Sequence, residues 1–380
     1  MTVICVTKER RAGETRVALT PETAKKLIAQ GFSVTVEAGA GAASSYLDAD
    51  YTAAGAEVVK TAKAVLGKAD ILFKVRGPEA EEIAGLKAGA LVVATLNPHQ
   101  EKATLEALAA KGVSAFAMEF VPRITRAQVM DVLSSQANLA GYRAVIEAAE
   151  AFGKAMPMMM TAAGTVAAAK VFVMGVGVAG LQAIATARRL GAVVTATDVR
   201  PATKEQVESL GAKFLAVEDE EFKNAQTAGG YAKEMSAEYQ AKQAALLSTH
   251  IAKQDIVITT ALIPGRPAPK LVSAEQVASM RAGSVIVDLA VEQGGNVVGA
   301  KLGEVAVTAN GVKILGVANL PGRIAVDASA LYARNLMAFA GLFLNKEGAF
   351  APDYEDEILK AALVVRDGAI VHPALIQGAN

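Results

Sequence analysis

The chain has 380 residues, of which 52% are hydrophobic, and its 38 lysines and arginines balance 38 aspartates and glutamates. This length suffices for two domains that each bury a core, and the charge balance argues against a protein that binds nucleic acid or an anionic membrane surface. A single cysteine, Cys5, and three widely spaced histidines exclude a disulfide framework and a local zinc motif. We therefore expect a metal-free site and a reducing, cytoplasmic environment.

The composition predicts neither a secretory signal nor a membrane span. The start, MTVICVTKERR, lacks a basic segment followed by a long apolar core. The most apolar stretch, residues 171–187, is enclosed by Lys170 and Arg188, and it is shorter than the about 20 apolar residues of a spanning helix. We expect no direct membrane insertion.

The first part of the chain alternates strand patterns with helical patterns. Between the first two strands Thr20 predicts a helix cap, Pro21 fits the first turn and Gly31 fits the left-handed stop. Strands separated by helices indicate a parallel, doubly wound sheet. The valine-rich runs that predict these strands lie at 3–6, 33–38, 71–75, 90–95 and 114–119.

A second series begins after a helical stretch at 141–155. A further helical stretch at 327–345 then precedes a short tail. The strand patterns of this second series lie at 169–175, 192–198, 213–217, 255–261, 284–290 and 312–317.

These patterns predict an α/β protein with two doubly wound parallel-sheet, Rossmann-like domains that are separated by a cleft and joined by long crossover helices. The first domain would comprise 1–136 with 326–380 and would be interrupted by the second, 137–325.

A glycine-rich loop, GVGVAG, follows the first strand of the second series. Gly175 permits a tight turn, Gly177 allows the backbone to approach a pyrophosphate, and Gly180 permits close helix packing. The helix that starts here attracts phosphates with its N-terminus. Asp198 ends the next strand, 23 residues after Gly175, as in dinucleotide-binding domains. A βαβ turn without a ligand is the alternative.

Asp198 also bears on the choice of nucleotide. A carboxylate at this place accepts hydrogen bonds from the ribose hydroxyls and repels a 2′-phosphate, which favours NAD over NADP. Arg200 argues the other way, because an arginine there could hold that phosphate. A second glycine-rich segment at 39–44 lacks the third glycine and the acid, so we interpret it as a turn.

The segment RITRAQVMD, residues 123–131, allows two interpretations. Thr125 followed by Gln128 is a capping-box pattern, which would make this a helix start. Gln128 and Asp131 are three apart on one helix face, with Arg123 just before it, and this trio could hold a nicotinamide carboxamide and a ribose.

Three further places carry charged or glycine-rich patterns. The long connection 218–236 has Gly229 and Gly230 before Tyr231 and predicts a mobile loop, although an inert excursion remains open. The segment 287–296, with Asp288 and Glu292, follows a strand and is either a ligand loop or a solvated turn. Arg16 and Lys74 could each bind an anion, but taken alone each is expected in solvent.

Many segments together resemble one family over nearly the whole chain. They include KERRAGETRVALTPE, PRITRAQVMDVLSSQANLAGYRAV, PMMMTAAGTV, GVGVAGLQAIATARRLGA, TAGGYAKEM and RDGAIVHPAL. The chain is similar to the NAD(H)-binding component of proton-translocating NAD(P) transhydrogenases, in the form made as a separate polypeptide. The resemblance implies direct hydride transfer from NADH held here to NADP⁺ held by a partner component, coupled to proton movement by membrane-spanning subunits. It further implies a homodimer, and a cytoplasmic protein attached peripherally to the bacterial inner membrane through its partners.

The resemblance also assigns residues. Arg123, Gln128, Asp131 and Ser134 would border the nicotinamide half of NAD and form the catalytic set. The remaining cofactor-binding positions it implies are Gly175, Val176, Gly177, Val178 and Gly180 at the pyrophosphate, Asp198, Val199 and Arg200 at the adenosine ribose, and Gly230, Tyr231, Gln243 and Leu262 around the adenosine.

Two alternatives stay open. Alanine dehydrogenase shares the fold, and Arg16 and Lys74 match its substrate-binding residues. However, Asn97 stands where that enzyme has its catalytic histidine and Glu292 where it has an aspartate, and asparagine is a poor proton donor for imine reduction. A non-catalytic, NAD-responsive regulator is the other alternative.

Overall fold

In the computed structural model, the described residues are 1–225, 235–263 and 265–376. They form two compact units: one comprises Met1–Gln136 and the stretch that begins at Pro321, and the other comprises Ala137–Leu320. The sequence placed the return to the first unit at 326. The predicted α/β class with two parallel, doubly wound sheets is confirmed.

The first unit begins with β1 (Val3–Val6), α1 (Pro21–Ala29), β2 (Ser33–Glu37), α2 (Asp48–Ala53), β3 (Glu57–Val59), α3 (Ala62–Leu66), β4 (Ile71–Arg76), α4 (Ala80–Gly85), β5 (Leu91–Thr95), α5 (Lys102–Ala110) and β6 (Ser114–Ala117). A 3₁₀ helix, Thr125–Met130, leads into α6 (Val132–Ala151), in which the chain passes to the second unit.

The second unit contains β7 (Met159–Thr161), β8 (Gly164–Val166), β9 (Lys170–Met174), α7 (Val178–Arg189), β10 (Val193–Thr197), α8 (Thr203–Ser209), β11 (Lys213–Phe214), α9 (Glu220–Lys223), α10 (Ala237–Ile251), β12 (Ile256–Thr259), α11 (Ala274–Ser279), β13 (Val285–Asp288), β14 (Val305–Val307) and β15 (Lys313–Leu315). The 3₁₀ helix Leu320–Ile324 leads back to α12 (Ala325–Ala340), α13 (Glu357–Ala362), β16 (Leu363–Arg366), β17 (Ala369–Ile370) and α14 (Pro373–Ile376).

The sheet of the first unit has eight strands in the order β17-β16-β6-β5-β4-β1-β2-β3. The six strands from β6 to β3 are parallel, and β16 and β17 add antiparallel partners beside β6. The tail of the chain therefore completes this sheet, which the sequence did not predict. The chain runs outward from β1 in one direction and from β4 in the other, so the strand order reverses between them.

The second sheet has seven strands in the order β11-β10-β9-β12-β13-β15-β14. All pairs are parallel except β14 with β15. Here the strand order reverses between β9 and β12. Ligands of such sheets bind at the carboxyl ends of the strands beside the reversal, which here follow Met174 and Thr259.

Both sheets are buried on both faces. In β9, Val171 and Val173 enter one hydrophobic cluster, whereas Phe172 and Met174 enter another on the opposite face. Because side chains alternate between faces and both faces are covered by helices, the strands read as continuous apolar runs. This is why the sequence predicted their positions to within a few residues.

The predicted details of α1 are confirmed. Thr20 precedes the helix, and its hydroxyl accepts a hydrogen bond from the backbone N–H of Thr23, whose own hydroxyl accepts one from the N–H of Thr20. Pro21 occupies the first helical position, and Gly31 has a φ of 98° just after the end. The segment 39–44 forms a turn and a short 3₁₀ helix, as interpreted.

Within the described ranges, the helices are too short or too polar to cross a bilayer.

Candidate nucleotide site

The glycine-rich loop lies at the carboxyl end of β9, beside the strand reversal of the second sheet. Gly175 has a φ of 100°, and a Cβ there would lie 2.6 Å from the hydroxyl oxygen of Thr260, which follows the neighbouring β12. A Cβ on Gly180 would lie only 1.9 Å from the carbonyl oxygen of Gly175. Both glycines are therefore required by the fold itself.

Gly177 differs from these two glycines. It caps the N-terminus of α7, it is exposed, and no other described atom lies within 4 Å of the position of its missing Cβ. Packing within the chain gives no reason for a glycine here. The open space above Gly177 lets a ligand approach the first N–H groups of α7, which lack partners within the helix.

Asp198 lies at the end of β10, directly beside this loop. Its Oδ2 accepts a hydrogen bond of 2.7 Å from the backbone N–H of Val176, and its side chain is only 7% exposed. The carboxylate therefore sets the orientation of the glycine-rich loop as well as facing the nucleotide position.

Arg200 forms a two-pronged ion pair with Asp198. Its Nε donates to Oδ1 and its Nη2 to Oδ2, both at 2.9 Å, and its backbone N–H also donates to Oδ1. Nη2 reaches the carbonyl oxygen of Val176 at 3.2 Å as well. Hydrogen bonding to Asp198 raises the pKa of Arg200.

Exposed apolar side chains border the same strand ends. Val178 begins α7, Val199 follows β10 and Leu262 follows β12, with exposed fractions of 40%, 60% and 47%. The strands β10, β9 and β12 are adjacent. Apolar groups around a few fixed polar groups are typical of a small-molecule site.

The remaining predicted adenosine residues are Gln243, Gly230 and Tyr231. The amide of Gln243 accepts from the backbone N–H of Val217 at 2.8 Å and donates to the hydroxyl of Thr197 at 3.4 Å, so it ties α10 to the ends of two strands. Gly230 and Tyr231, with most of the expected mobile loop, lie outside the described residues.

In the RITRAQVMD segment the predicted capping box is wrong. The residue before the 3₁₀ helix is Ile124, which has no polar side chain, and Thr125 is already its first residue. Asp131 makes the cap instead: its Oδ1 accepts from the backbone N–H of Ser134 at 2.9 Å and its Oδ2 from the Ser134 hydroxyl. The long helix therefore begins after Asp131, nine residues earlier than the predicted 141.

The other two members of the trio are exposed. Arg123 precedes the 3₁₀ helix and Gln128 lies within it. This segment is held by Asn335 of α12, whose amide donates to the carbonyl of Val129 and accepts from the hydroxyl of Ser135, both at 2.8 Å. One buried amide thus fixes the backbone on both sides of Asp131.

The expectation that Arg16 and Lys74 lie in solvent is wrong. Arg16 is 6% exposed and pairs with Glu14 through Nε and Nη2, both at 2.7 Å, while its Nη1 donates to Gln136 at 2.8 Å. Lys74 is 1% exposed, with its Nζ 3.0 Å from Glu82. A buried cation needs a partner, and the pairing with Glu82 arises only in the folded chain.

Burial raises the pKa of Glu14, but the hydrogen bonds and charge of Arg16, together with the charge of Arg76, outweigh burial and bring it to about 2. The carboxylate therefore remains charged in the interior, and the pair is a structural element of the first unit.

The segment 287–296 is neither a solvated turn nor a direct ligand loop at its aspartate. Asp288 is fully buried, and its two oxygens accept from the backbone N–H groups of Ala290 and Val297, both at 2.9 Å. Burial raises its pKa. Asn296 holds the segment after β12 through the backbone of Ala261. Glu292 is exposed.

Sequence reasoning missed Thr260, Asn296 and Asn335, which shape the backbone around the predicted site residues. Each acts through a contact with a residue more than thirty positions away, and no local pattern marks such a contact. Within the described ranges no three His, Cys, Asp or Glu side chains are grouped as metal ligands.

Two family models match the chain. Residues 5–140 match the model described as alanine dehydrogenase/PNT, N-terminal domain, and residues 144–373 match alanine dehydrogenase/PNT, C-terminal domain.

Individual relatives agree with these models. The chain is 55% identical over 383 aligned positions to the separately made first portion of NAD(P) transhydrogenase subunit alpha of Rhodospirillum rubrum, covering 99% of this chain and 100% of the relative. The structure of a transhydrogenase from Sinorhizobium meliloti matches with a TM-score of 0.89 at 56% identity, over 97% of this chain and 100% of that one. An L-alanine dehydrogenase matches with a TM-score of 0.84 at 28% identity, over 99% of this chain and 98% of that one.

Proposed function

This chain belongs to the alanine dehydrogenase/PNT family, and we propose that it is the NAD(H)-binding subunit of a proton-translocating transhydrogenase. In this function, hydride passes directly from NADH held here to NADP⁺ held by a partner subunit, and membrane-spanning subunits couple the transfer to proton movement. The identity with transhydrogenase subunits exceeds that with alanine dehydrogenase by 56% to 28% among the matched structures. The two relatives share the fold, so the site must distinguish the functions.

The observation that carries the proposal is the open space above Gly177, beside the fixed carboxylate of Asp198. The N–H groups that begin α7 would bind the pyrophosphate, and Asp198 would accept the ribose hydroxyls. Arg200, Val199 and Leu262 would border the adenosine, and Gly230, Tyr231 and Gln243 complete that side of the proposal. The residues present therefore fit NAD(H), which supplies the hydride.

Arg123, Gln128, Asp131 and Ser134 make up the proposed nicotinamide side. Arg123 and Gln128 are exposed and can reach a ligand, whereas Asp131 and Ser134 hold each other through two hydrogen bonds. We assign Gln128 and Arg123 to direct contact with the nicotinamide and its ribose. Asp131 and Ser134 order the backbone from which Gln128 extends.

Hydride transfer between two nicotinamide rings moves no proton at carbon, so groups that position the rings are sufficient. Imine reduction, as in alanine dehydrogenase, needs a proton donor near the reacting carbon. Asn97 offers only an amide in the loop after β5, where it adopts a φ of 52° and its backbone N–H binds Glu119. This chemistry favours transhydrogenation over amino acid oxidation.

A homodimer is part of the proposal, and the hairpin of β7 and β8 supports it. Met158, Met159 and Met160 are 57%, 42% and 80% exposed, and Val166 on the second strand is 37% exposed. Several adjacent exposed apolar side chains mark an association surface in a protein of this kind. A second copy of the chain would cover them.

Contact with the NADP(H)-binding and membrane-spanning partners would place the protein at the cytoplasmic face of the bacterial inner membrane. The chain itself would not enter the bilayer, and no metal or nucleic acid takes part in the proposed function.

The deciding experiment mixes the purified protein with the NADP-binding partner component and follows hydride exchange between NADPH and an oxidised NAD analogue by absorbance. We expect exchange only with both components present. Lack of exchange, combined with NADH oxidation by this chain alone that depends on pyruvate and ammonia, would establish alanine dehydrogenase activity instead. NADH binding with neither activity would identify a regulator.

A further inference from the structure

Helix α6 meets the first turn of α7 backbone to backbone at Gly141. A Cβ built on Gly141 would lie 2.0 Å from the carbonyl oxygen of Ala179 and 2.8 Å from its carbonyl carbon. Real Cβ atoms do not approach backbone atoms closer than 3.0 Å. With α7 in its observed place, therefore, only glycine fits at position 141.

Gly141 gains nothing from its conformational freedom, because it lies within the regular helix α6. Glycine in a helix interior is less favourable than alanine by about 1 kcal/mol. The close approach to Ala179 is therefore the property that a glycine provides at this position.

The turn that Gly141 touches is the one that carries the phosphate-binding N–H groups. Gly177 caps α7, and Ala179 and Gly180 follow in its first turn. On the sheet side, Gly180 approaches the carbonyl oxygen of Gly175 so closely that a Cβ would lie 1.9 Å from it. The first turn of α7 is thus held between two glycine contacts, one from the strand end and one from α6.

A second contact joins the same two helices. The amide nitrogen of Asn138 in α6 lies 3.5 Å from the amide oxygen of Gln182 in α7. Gln182 also donates to the hydroxyl of Thr186 at 3.1 Å. Asn138 and Gly141 are one turn apart on α6, so both contacts come from the same face of that helix.

We propose that Gly141 is a positioning residue for the pyrophosphate of the dinucleotide and that it acts through the first turn of α7. The inference rests on the proposed function, because it requires that this turn binds a nucleotide. A methyl group at position 141 must move Ala179 by at least 1.0 Å, from 2.0 to 3.0 Å. Hydrogen bonds from N–H groups at about 2.9 Å do not survive such a displacement.

The test compares Gly141→Ala with the wild-type protein in calorimetric titrations with NADH, ADP and adenosine. We expect NADH and ADP to bind at least tenfold more weakly, about 1.4 kcal/mol, and adenosine to bind within twofold of wild type. Adenosine lacks phosphates, so a general loss of structure would weaken all three ligands alike. The matched control is Gly153→Ala, since among the described atoms none lies within 4 Å of that Cβ position.

Equal loss for adenosine and ADP, or no loss for ADP, would overturn the inference. If Gly141→Ala does not fold, Asn138→Ala reaches the same turn, and there we expect about threefold weaker ADP binding with adenosine unchanged; unchanged ADP binding contradicts the idea. A wild-type protein that binds neither NADH nor ADP would overturn the proposed function itself. Wild-type binding that persists in Gly141→Ala would overturn only the role of Gly141.

Discussion

The carboxylate of Asp198 grips the guanidinium of Arg200 with both oxygens, at 2.9 Å each, while Oδ2 also holds the backbone of the glycine-rich loop at Val176. Asp198 thus orients the loop and neutralises the one nearby cation that could attract a 2′-phosphate. Its two tasks make the residue sensitive to substitution.

Asp198→Ala should weaken NADH binding at least tenfold, because the ribose and the loop both lose a charged hydrogen-bond acceptor. The freed Arg200 should at the same time improve binding of NADPH relative to NADH. Fluorescence titration with both nucleotides measures this change. The exposed Glu205 of α8 provides a control, Glu205→Ala. Unchanged NADH affinity in Asp198→Ala would show that the nucleotide lies in another orientation.

Gln128→Asn should slow hydride transfer by tenfold or more while NADH affinity stays within about threefold, since a shorter amide loses contact mainly in the reacting geometry. Stopped-flow transfer with the partner component and NADH titration provide the two values. Thr125→Ala is the control, because Thr125 forms no cap and is exposed. Equal losses of rate and affinity would refute a role specific to transfer.

Asn335→Asp should slow transfer roughly tenfold without weakening NADH binding, because the carboxylate keeps the size of the amide but cannot donate to the carbonyl of Val129. The segment that bears Gln128 would then lose its anchor. Asn310→Asp makes the same chemical change in the second unit, where Asn310 donates to the carbonyls of Val277, Ala278 and Met280. If both variants transfer hydride equally fast, Asn335 has no positioning role.

The pair of Glu14 and Arg16 should make stability depend on acid pH. The folded pKa of Glu14, about 2, lies below the value of 4.5 in the unfolded chain. The pair therefore stabilises the fold above pH 4.5, and this contribution, about 3 kcal/mol, is lost as pH falls from 4.5 toward 2. Denaturant unfolding at several pH values should show a shallower acid decline in Glu14→Gln than in wild type. Parallel pH profiles would contradict this assignment.

Met160→Asp should dissociate the proposed homodimer, because a charge would be buried where an apolar side chain packs. Analytical ultracentrifugation gives the mass of the particle. The matched control is Val307→Asp on β14, which introduces the same charge at a side chain that is 66% exposed. A dimer that persists in Met160→Asp, or a wild-type monomer, would remove the hairpin from the interface.

Parts of the fold and site were predictable because they depend on residues close together in sequence. The cap at Thr20, the left-handed Gly31 and the turn at Gly175 are set by backbone conformations that few residue types adopt. The pairing of the glycine-rich loop with Asp198 spans only one strand, one helix and the next strand. Periodicity and spacing therefore gave its place.

Other features escaped prediction because two local signals competed. Thr125 with Gln128 and Asp131 with Ser134 are both capping patterns, and the sequence favoured the first. The structure uses the second, since the segment is held by Asn335, some two hundred residues further along the chain. A contact at such a distance decided which of two adequate caps forms.

The sequence by itself determined the order of strands and helices, the glycine-rich loop and the acid that accompanies it, because periodicity, turn residues and caps act over short distances. Only the tertiary structure decided that Arg16 and Lys74 are buried in ion pairs, that the tail completes the first sheet, and that Gly141 lies against Ala179. Each of these depends on which distant segments meet when the apolar faces are buried. That outcome is a property of the packed chain, and no short stretch of residues encodes it.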